Sequence, residues 1–259
     1  MNAALTFASA KLGRLRPVAG VILLVFVWWL ATAMELADPV LLPPPQKALQ
    51  ALVDGLVAGP LLFDFWQTIY RTVLSFAIAS AIAIPLGVIL GAAEKLYRSV
   101  EFVIDFFRST PASAVFPLFL VLFGVGDKTK IAVAAFGAVL VILFNVAYGV
   151  MNARKTRVLA AKVMGAGRWR VLADVYFWES LPQTFIGMRN GISLSLVIVV
   201  VAEMFIGSTD GIGHRLIEAQ MLFEMPTMYA AIFAAGALGY GMNWVFLVIE
   251  KSFVHWGGK

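Results

Sequence analysis

The sequence contains no cysteine, which excludes disulfides and thiolate metal sites. Histidine is nearly as scarce. His214 and His255 are the only two, too few and too dispersed for a metal centre of the usual type. Charge is thin: 14% of the 259 residues are Asp, Glu, Lys or Arg, against 61% hydrophobic residues. With a mean hydropathy of +0.88, this balance excludes a soluble domain and points to a polytopic membrane protein. Catalytic signatures are missing as well. The only Gly-Lys pair is Gly258-Lys259, so no Gly-x-x-x-x-Gly-Lys-Ser/Thr phosphate loop can form, and there is no His-Glu-x-x-His. No internal repeat, low-complexity tail or second domain is visible. The net charge of +5 does not call for nucleic acid, because the basic residues fall in polar intervals between apolar runs.

Those runs define an all-α integral membrane fold. Val18 to Met34 is a 17-residue run without charge, just long enough at ~1.5 Å per residue to cross a hydrocarbon core. Lys11, Arg14 and Arg16 precede it and Glu35 and Asp38 follow, which places residues 1–17 in the cytoplasm. A cleaved signal peptide is the rival reading, since Ala31-Thr32-Ala33 fits a cleavage motif. About six spans are expected, near 18–36, 68–93, 100–124, 131–150, 183–206 and 226–249, within one membrane domain covering 18–259. Pro45 suits the first turn of an interfacial helix whose apolar stripe is Ala48, Leu49, Leu52, Val53 and Leu56. In the second span Pro85 and Gly87 predict a kink. Ala79, Ala81, Ala83, Gly87 and Gly91 predict close packing.

The third span carries the most information. Asp105 and Arg108 fall on one helical face, and Ser109-Thr-Pro111-Ala-Ser-Ala-Val-Phe-Pro117 then predicts a broken helix. Irregular backbone at membrane depth is tolerated only against protein or a water-filled cavity. Arg108, Ser109, Thr110, Pro111, Ser113 and Phe116 are therefore candidates for a translocation path, with Asn145 of the fourth span and Glu203 of the fifth. A simple Asp105–Arg108 pair at the interface is the plain alternative. Asp127 to Lys130 reads as a short outer loop. Gly207 to Gly213 reads as a turn-rich outer segment before a short helix near Leu216 to Phe223. Trp256 fits an interfacial anchor. By this placement 13 of the 20 Lys and Arg lie in inner segments and five in outer ones, Arg71 and Lys130 among the latter, so both termini are expected inside.

The longest polar interval, 154–182, separates spans four and five and holds six of the 20 basic residues. Leu159, Val163 and Ala166 fall at i, i+4 and i+7, so a short amphipathic helix is expected there, broken by Gly165 and Gly167. Its apolar stripe has little of its own chain to pack against.

Ala160-Ala161, three residues, Gly165-Ala166 and then Leu181-Pro182 resemble the cytoplasmic loop of the permease subunits of binding-protein-dependent ABC importers. Leu159 stands where that family usually has Glu, and Trp178 where many members have a first Pro. The resemblance extends to Arg108-x-x-Pro111, Ala114-x-x-Pro117, Phe123-Gly124-x-Gly126, Thr68-x-x-Arg71, Pro85-Leu86-Gly87 and Ala202-Glu203 before the Gly-rich segment. It covers most of the chain from about residue 40 and is nearest the nitrate, taurine, sulfonate and bicarbonate branch.

The resemblance implies a non-catalytic permease of the bacterial inner membrane, paired with a second copy of itself. It also implies two ATP-binding subunits, which hold ATP and Mg, and a periplasmic or lipid-anchored substrate-binding protein. The solute would be a small anion such as nitrate, a sulfonate or a carboxylate. The expected coupling helix would dock on the ATPase through Leu159, Ala160, Ala161, Val163, Gly165, Ala166 and Trp169. No cofactor is expected in the chain itself. Two other classes compete: a stand-alone secondary transporter, which needs coupling-ion groups at depth and usually repeated halves, and a membrane enzyme, which needs a polar catalytic cluster.

Overall fold

Small residues set the centre of the structure. In the computed structural model, which describes residues 19–253, helix α3 (Leu61–Ala92) buries Ala79, Ala83, Gly87 and Gly91, spaced four apart along one face. That face lies against α6 (Asp127–Met151). A Cβ on Gly91 would stand 2.6 Å from the Ala147 carbonyl oxygen and 2.7 Å from Val150 Cβ, so only glycine permits this approach. Ala81, expected on the same surface, is off the stripe and exposed. α6 also packs against α9 (Phe177–Phe205), where Gly187 and Gly191 meet Asn145 and Ile142. The α3–α6–α9 layer is the core.

Around it run α1 (Ala19–Ala33), α2 (Pro45–Val57), α4 (Glu94–Ser109), a 3-10 turn (Ala112–Val115) and α5 (Phe116–Phe123). α7 (Lys155–Val163), α8 (Arg168–Val171), a π turn (Leu172–Tyr176), α10 (Ile212–Met221) and α11 (Met225–Phe253) complete the fold. No strand occurs among the described residues. α1 meets the rest through Trp28, whose indole donates to the Pro43 carbonyl at 3.1 Å and packs on Tyr229 and Phe233 of α11.

Among the described residues four helices are long and apolar enough to cross a membrane: Leu61–Ala92, Asp127–Met151, Arg168–Phe205 and Met225–Phe253. The pair Glu94–Ser109 and Ala112–Phe123 makes a fifth if counted as one span, but it is bent by 94°. The break expected in the third span is thus present, as a sharp corner. The described part of α1 is shorter than a span. The expected cytoplasmic segment 1–17 and the Trp256 anchor lie outside the described residues.

Several boundaries differ from the sequence reading. α3 starts at Leu61 rather than Thr68, because Asp64, which looks like a loop residue, is buried in an ion pair with Arg215. Asp127 to Lys130 is not a loop but the first turn of α6, with Lys130 buried. The helical rod of the fifth span begins at Arg168, so Pro182 lies inside α9 instead of closing a loop. α3 likewise continues through Pro85 without interruption. Each proline removes one i→i−4 hydrogen bond, and the surrounding helices keep the rest of the ladder intact. The helices at Pro45 and near Leu216 form as expected.

Candidate functional site

α7 is built by its own sequence and held on one side only. Its C-terminus is a Schellman motif. Gly165, at φ +82°, donates to the Lys162 carbonyl at 3.0 Å, and the Ala166 N–H donates to the Ala161 carbonyl at 3.0 Å. Left-handed backbone at Gly165 is what turns the chain here. Ala161 and Ala166, the pair that usually makes the apolar contact of this motif, join a cluster formed by Val158, Val171 and Val175. This corrects the expected stripe: Ala166 lies past the helix end, and the residue that α7 buries is Val158 rather than Leu159. Arg157 pairs with Glu179 and ties α7 to α9.

Several apolar side chains of α7 and α8 remain uncovered. Leu159 and Met164 are exposed, Val163 is 87% exposed and Trp169 is 78% exposed. Ala160 and Gly165 are exposed between them. Arg154, Lys155, Lys162, Arg168 and Arg170, all exposed, are interspersed with them along the chain. A cavity of about 820 Å³ opens beside Leu159, between α7, the end of α6 and the start of α4, where Tyr97, Arg98 and Glu101 line it. The π turn immediately follows α8 and presents Val175 to α7; such turns recur at functional sites.

The corner between α4 and α5 contains most of the expected path residues. Thr110 caps α4 by donating its hydroxyl to the Phe106 carbonyl at 2.9 Å, and Pro111 and Ala112 start the 3-10 turn. Arg108 pairs with Asp105 at 3.3 Å and lies 4.1 Å over the Phe144 ring of α6. Ser109, Pro111 and Ser113 are exposed along the corner. Phe116 is buried against Val133, Ala134 and Val199 and pins the corner to α6 and α9. Asn145 follows Phe144 but turns toward α9, donating to the Val141 carbonyl at 2.8 Å and filling the space beside Gly187.

Glu203 does not join this group. It is fully buried at the opposite end of the bundle from α7, in a network that the sequence reading missed. Arg71 Nη1 donates to Glu203 at 2.7 Å and to the Asp210 carbonyl at 3.1 Å, Nε donates to Asp127 at 2.9 Å, and Nη2 pairs with the Asp210 carboxylate. Backbone N–H groups at the start of α10 complete it. Gly211 donates to Asp64 at 2.8 Å, Ile212 to the Thr68 hydroxyl at 2.9 Å, and Gly213 to Glu203 at 3.0 Å. Buried carboxylates thus cap a helix N-terminus, where negative charge is favoured. Burial of the Glu203 charge is offset by these partners.

A Cβ on Gly211, at φ +106°, would stand 2.4 Å from Glu203 Cδ. Burial pushes the Asp210 carboxyl up, but the Arg71 guanidinium outweighs it and holds that carboxyl below the usual range. Arg71 and Lys130, counted above as outer-loop charges, are therefore helical and buried. The signal was available: Asp64, Thr68 and Arg71 fall at i, i+4 and i+7, one helical face.

Residues 83–255 match the family described as "Binding-protein-dependent transport system inner membrane component". The chain belongs to this family. A probable ABC transporter permease protein of Brucella melitensis is 30% identical over 88% of this permease chain and 92% of its own length. The taurine transport system permease protein TauC of Escherichia coli is 27% identical over 91% and 87%. The bicarbonate transport system permease protein CmpB of Synechococcus elongatus is 28% identical over 88% and 84%. These relatives bear out the branch read from the sequence. A chain of the inward-facing MetNI methionine ABC transporter shares the fold, with a TM-score of 0.67 at 20% identity over 75% of the permease and 96% of that chain.

Proposed function

We propose that this permease forms half of a homodimeric importer of the bacterial inner membrane and moves a small anion. In this reading two separate ATPase subunits drive it, and a substrate-binding protein supplies the solute. The observation that carries the proposal is the uncovered face of α7. Val158 fixes the helix to the α8–π turn segment, while Leu159, Val163, Met164 and Trp169 are exposed along the same segment as five exposed basic residues. Large apolar side chains left exposed together with charge on one short helical segment fit a protein partner. Leu159, Ala160, Val163, Gly165 and Trp169 would touch the ATPase. Ala161 and Ala166 would keep the helix end in shape for it.

ATP binding would draw the two α7 helices together, and the core helices they are tied to would open the path toward the binding protein. The path would follow the corner at Arg108, Ser109, Thr110, Pro111, Ser113 and Phe116. A solute with an anionic group is supported by the named solutes of the relatives: sulfonates and bicarbonate are anions, and taurine is a zwitterion that carries a sulfonate. Arg108 at the corner supplies a fitting charge.

The test is a pull-down of the tagged permease in mild detergent, assayed for ATP hydrolysis, with and without Gly165→Asp and Trp169→Ala. Co-purification of an ATPase that both variants lose, at unchanged permease yield, supports the proposal. A permease that purifies alone in several detergents contradicts it.

A further inference from the structure

The Arg71 network joins two parts of the chain that the permease reading treats separately. One is the corner span, whose outgoing arm α5 ends at the Gly124–Gly126 turn. The other is the α9–α10 connection. Arg71 is 2% exposed and holds Glu203 and Asp210 on the α9–α10 side and Asp127 on the α5–α6 side. Asp127 is the first residue of α6, directly after the turn. Lys130 reinforces the same joint, reaching Asp127 at 3.3 Å and Ser208 at 2.7 Å. Thr129 binds the α5 end to α6, donating toward the Gly124 carbonyl and the Phe119 carbonyl. Val125 lies against Gly207, so the two connections also touch.

These contacts are unequal. The Glu203 side chain is inaccessible, whereas that of Asp127 is 45% exposed. Separating Arg71 from Glu203 would leave two buried charges without water. Separating it from Asp127 lets the carboxylate hydrate at once, while the guanidinium keeps Glu203 and Asp210. The backbone beside Asp127 is also suited to movement. Gly124 and Gly126 have φ of +74° and +142°, and neither has an atom within 4 Å of its would-be Cβ. Nothing packs on either glycine from the side-chain direction, and glycine alone moves freely through these conformations.

We infer that Asp127 is the releasable jaw of a clasp closed by Arg71, and that Gly124 and Gly126 form the joint on which α5 turns when it opens. Arg71 is then a positioning residue for the path. With the clasp closed, the outer end of α5 is held through Asp127 to α3, α9 and α10; with it open, that end keeps the Thr129 hydrogen bonds to α6, and α5 stays anchored by the packing of Phe116 on α6 and α9. The inference rests on the permease reading only in giving this movement a use in transport.

Hydrogen–deuterium exchange of the full-length permease in lipid nanodiscs tests the clasp, comparing the unaltered chain with Asp127→Asn and Asp127→Glu. Asp127→Asn is expected to raise exchange several-fold within 112–126 and leave α3, α6 and α9 unchanged. Asp127→Glu, which restores the charge, should bring exchange back toward the unaltered level. No change within 112–126 overturns the clasp. So does a uniform rise across α3, α6 and α9, which would make Asp127 an ordinary stabilising residue. ATP hydrolysis by co-purified ATPase is read in parallel. A rise in exchange with no ATPase present upholds the clasp and counts against the proposed coupling, so the two readings fail separately.

Discussion

Replacing Glu203 with Gln tests whether the buried network is a main support of the fold. The carboxylate accepts hydrogen bonds from Arg71 at 2.7 Å and Gly213 at 3.0 Å, and from the Thr68 hydroxyl at 2.9 Å to one oxygen or 3.0 Å to the other. An amide keeps the volume but turns a donor toward one of these donors and removes the charge. Leaving a buried charge without its partner costs about 3–5 kcal/mol. Arg71 retains Asp210 and Asp127, so the lower figure, about 3 kcal/mol, applies. For a chain of this size that corresponds to a fall in Tm of roughly 6–12 °C. The seven tryptophans give a fluorescence signal for thermal unfolding in detergent. The control is Glu218→Gln, which removes a partially exposed partner of Arg215 and should cost less than about 1 kcal/mol. Equal Tm values for the two variants would refute the reasoning.

Three further outcomes follow from the packing and the charge pairs. Gly91→Ala should destabilise by about 1–3 kcal/mol in the same thermal assay, because its methyl would press on Ala147 and Val150 and push α3 from α6. Gly236→Ala in α11, with nothing within 4 Å, should instead be neutral or stabilise by up to about 1 kcal/mol. The Asp210 carboxyl is held below its ordinary value, so its pairing with Arg71 contributes fully above the usual aspartate range and is lost as pH falls through the lower folded value. The Tm difference between the unaltered chain and Asp210→Asn should therefore stay constant from about pH 5 to 8 and shrink below about pH 4. A difference that grows on acidification would contradict this.

The helices were legible because apolar runs of span length have few alternatives, and the corner was legible because Pro111 and Pro117 flank small and hydroxylated residues. The sequence also marked the α7 terminus: the Ala161–Gly165–Ala166 spacing is that of a Schellman motif, which the structure forms. What remained hidden depended on partners distant in sequence. Asp64, Arg71 and Lys130 read as surface charges because single-chain hydropathy does not show that residues 203–215 return to cover them. The same cause shifted the start of α3 and turned an expected loop into the first turn of α6. Which side α7 buries also escaped the helical pattern. The burying residue, Val158, is selected by Val171 and Val175 across a turn.

Solute uptake into proteoliposomes is the measurement that bears most directly on the account. The permease would be reconstituted with its co-purified ATPase and binding protein, and offered taurine, an alkanesulfonate, bicarbonate or nitrate. The account predicts uptake of one of these solutes that requires ATP and the binding protein, persists without an ion gradient, and disappears with Trp169→Ala. Uptake by the permease alone, driven by a proton or sodium gradient without ATP, would contradict it.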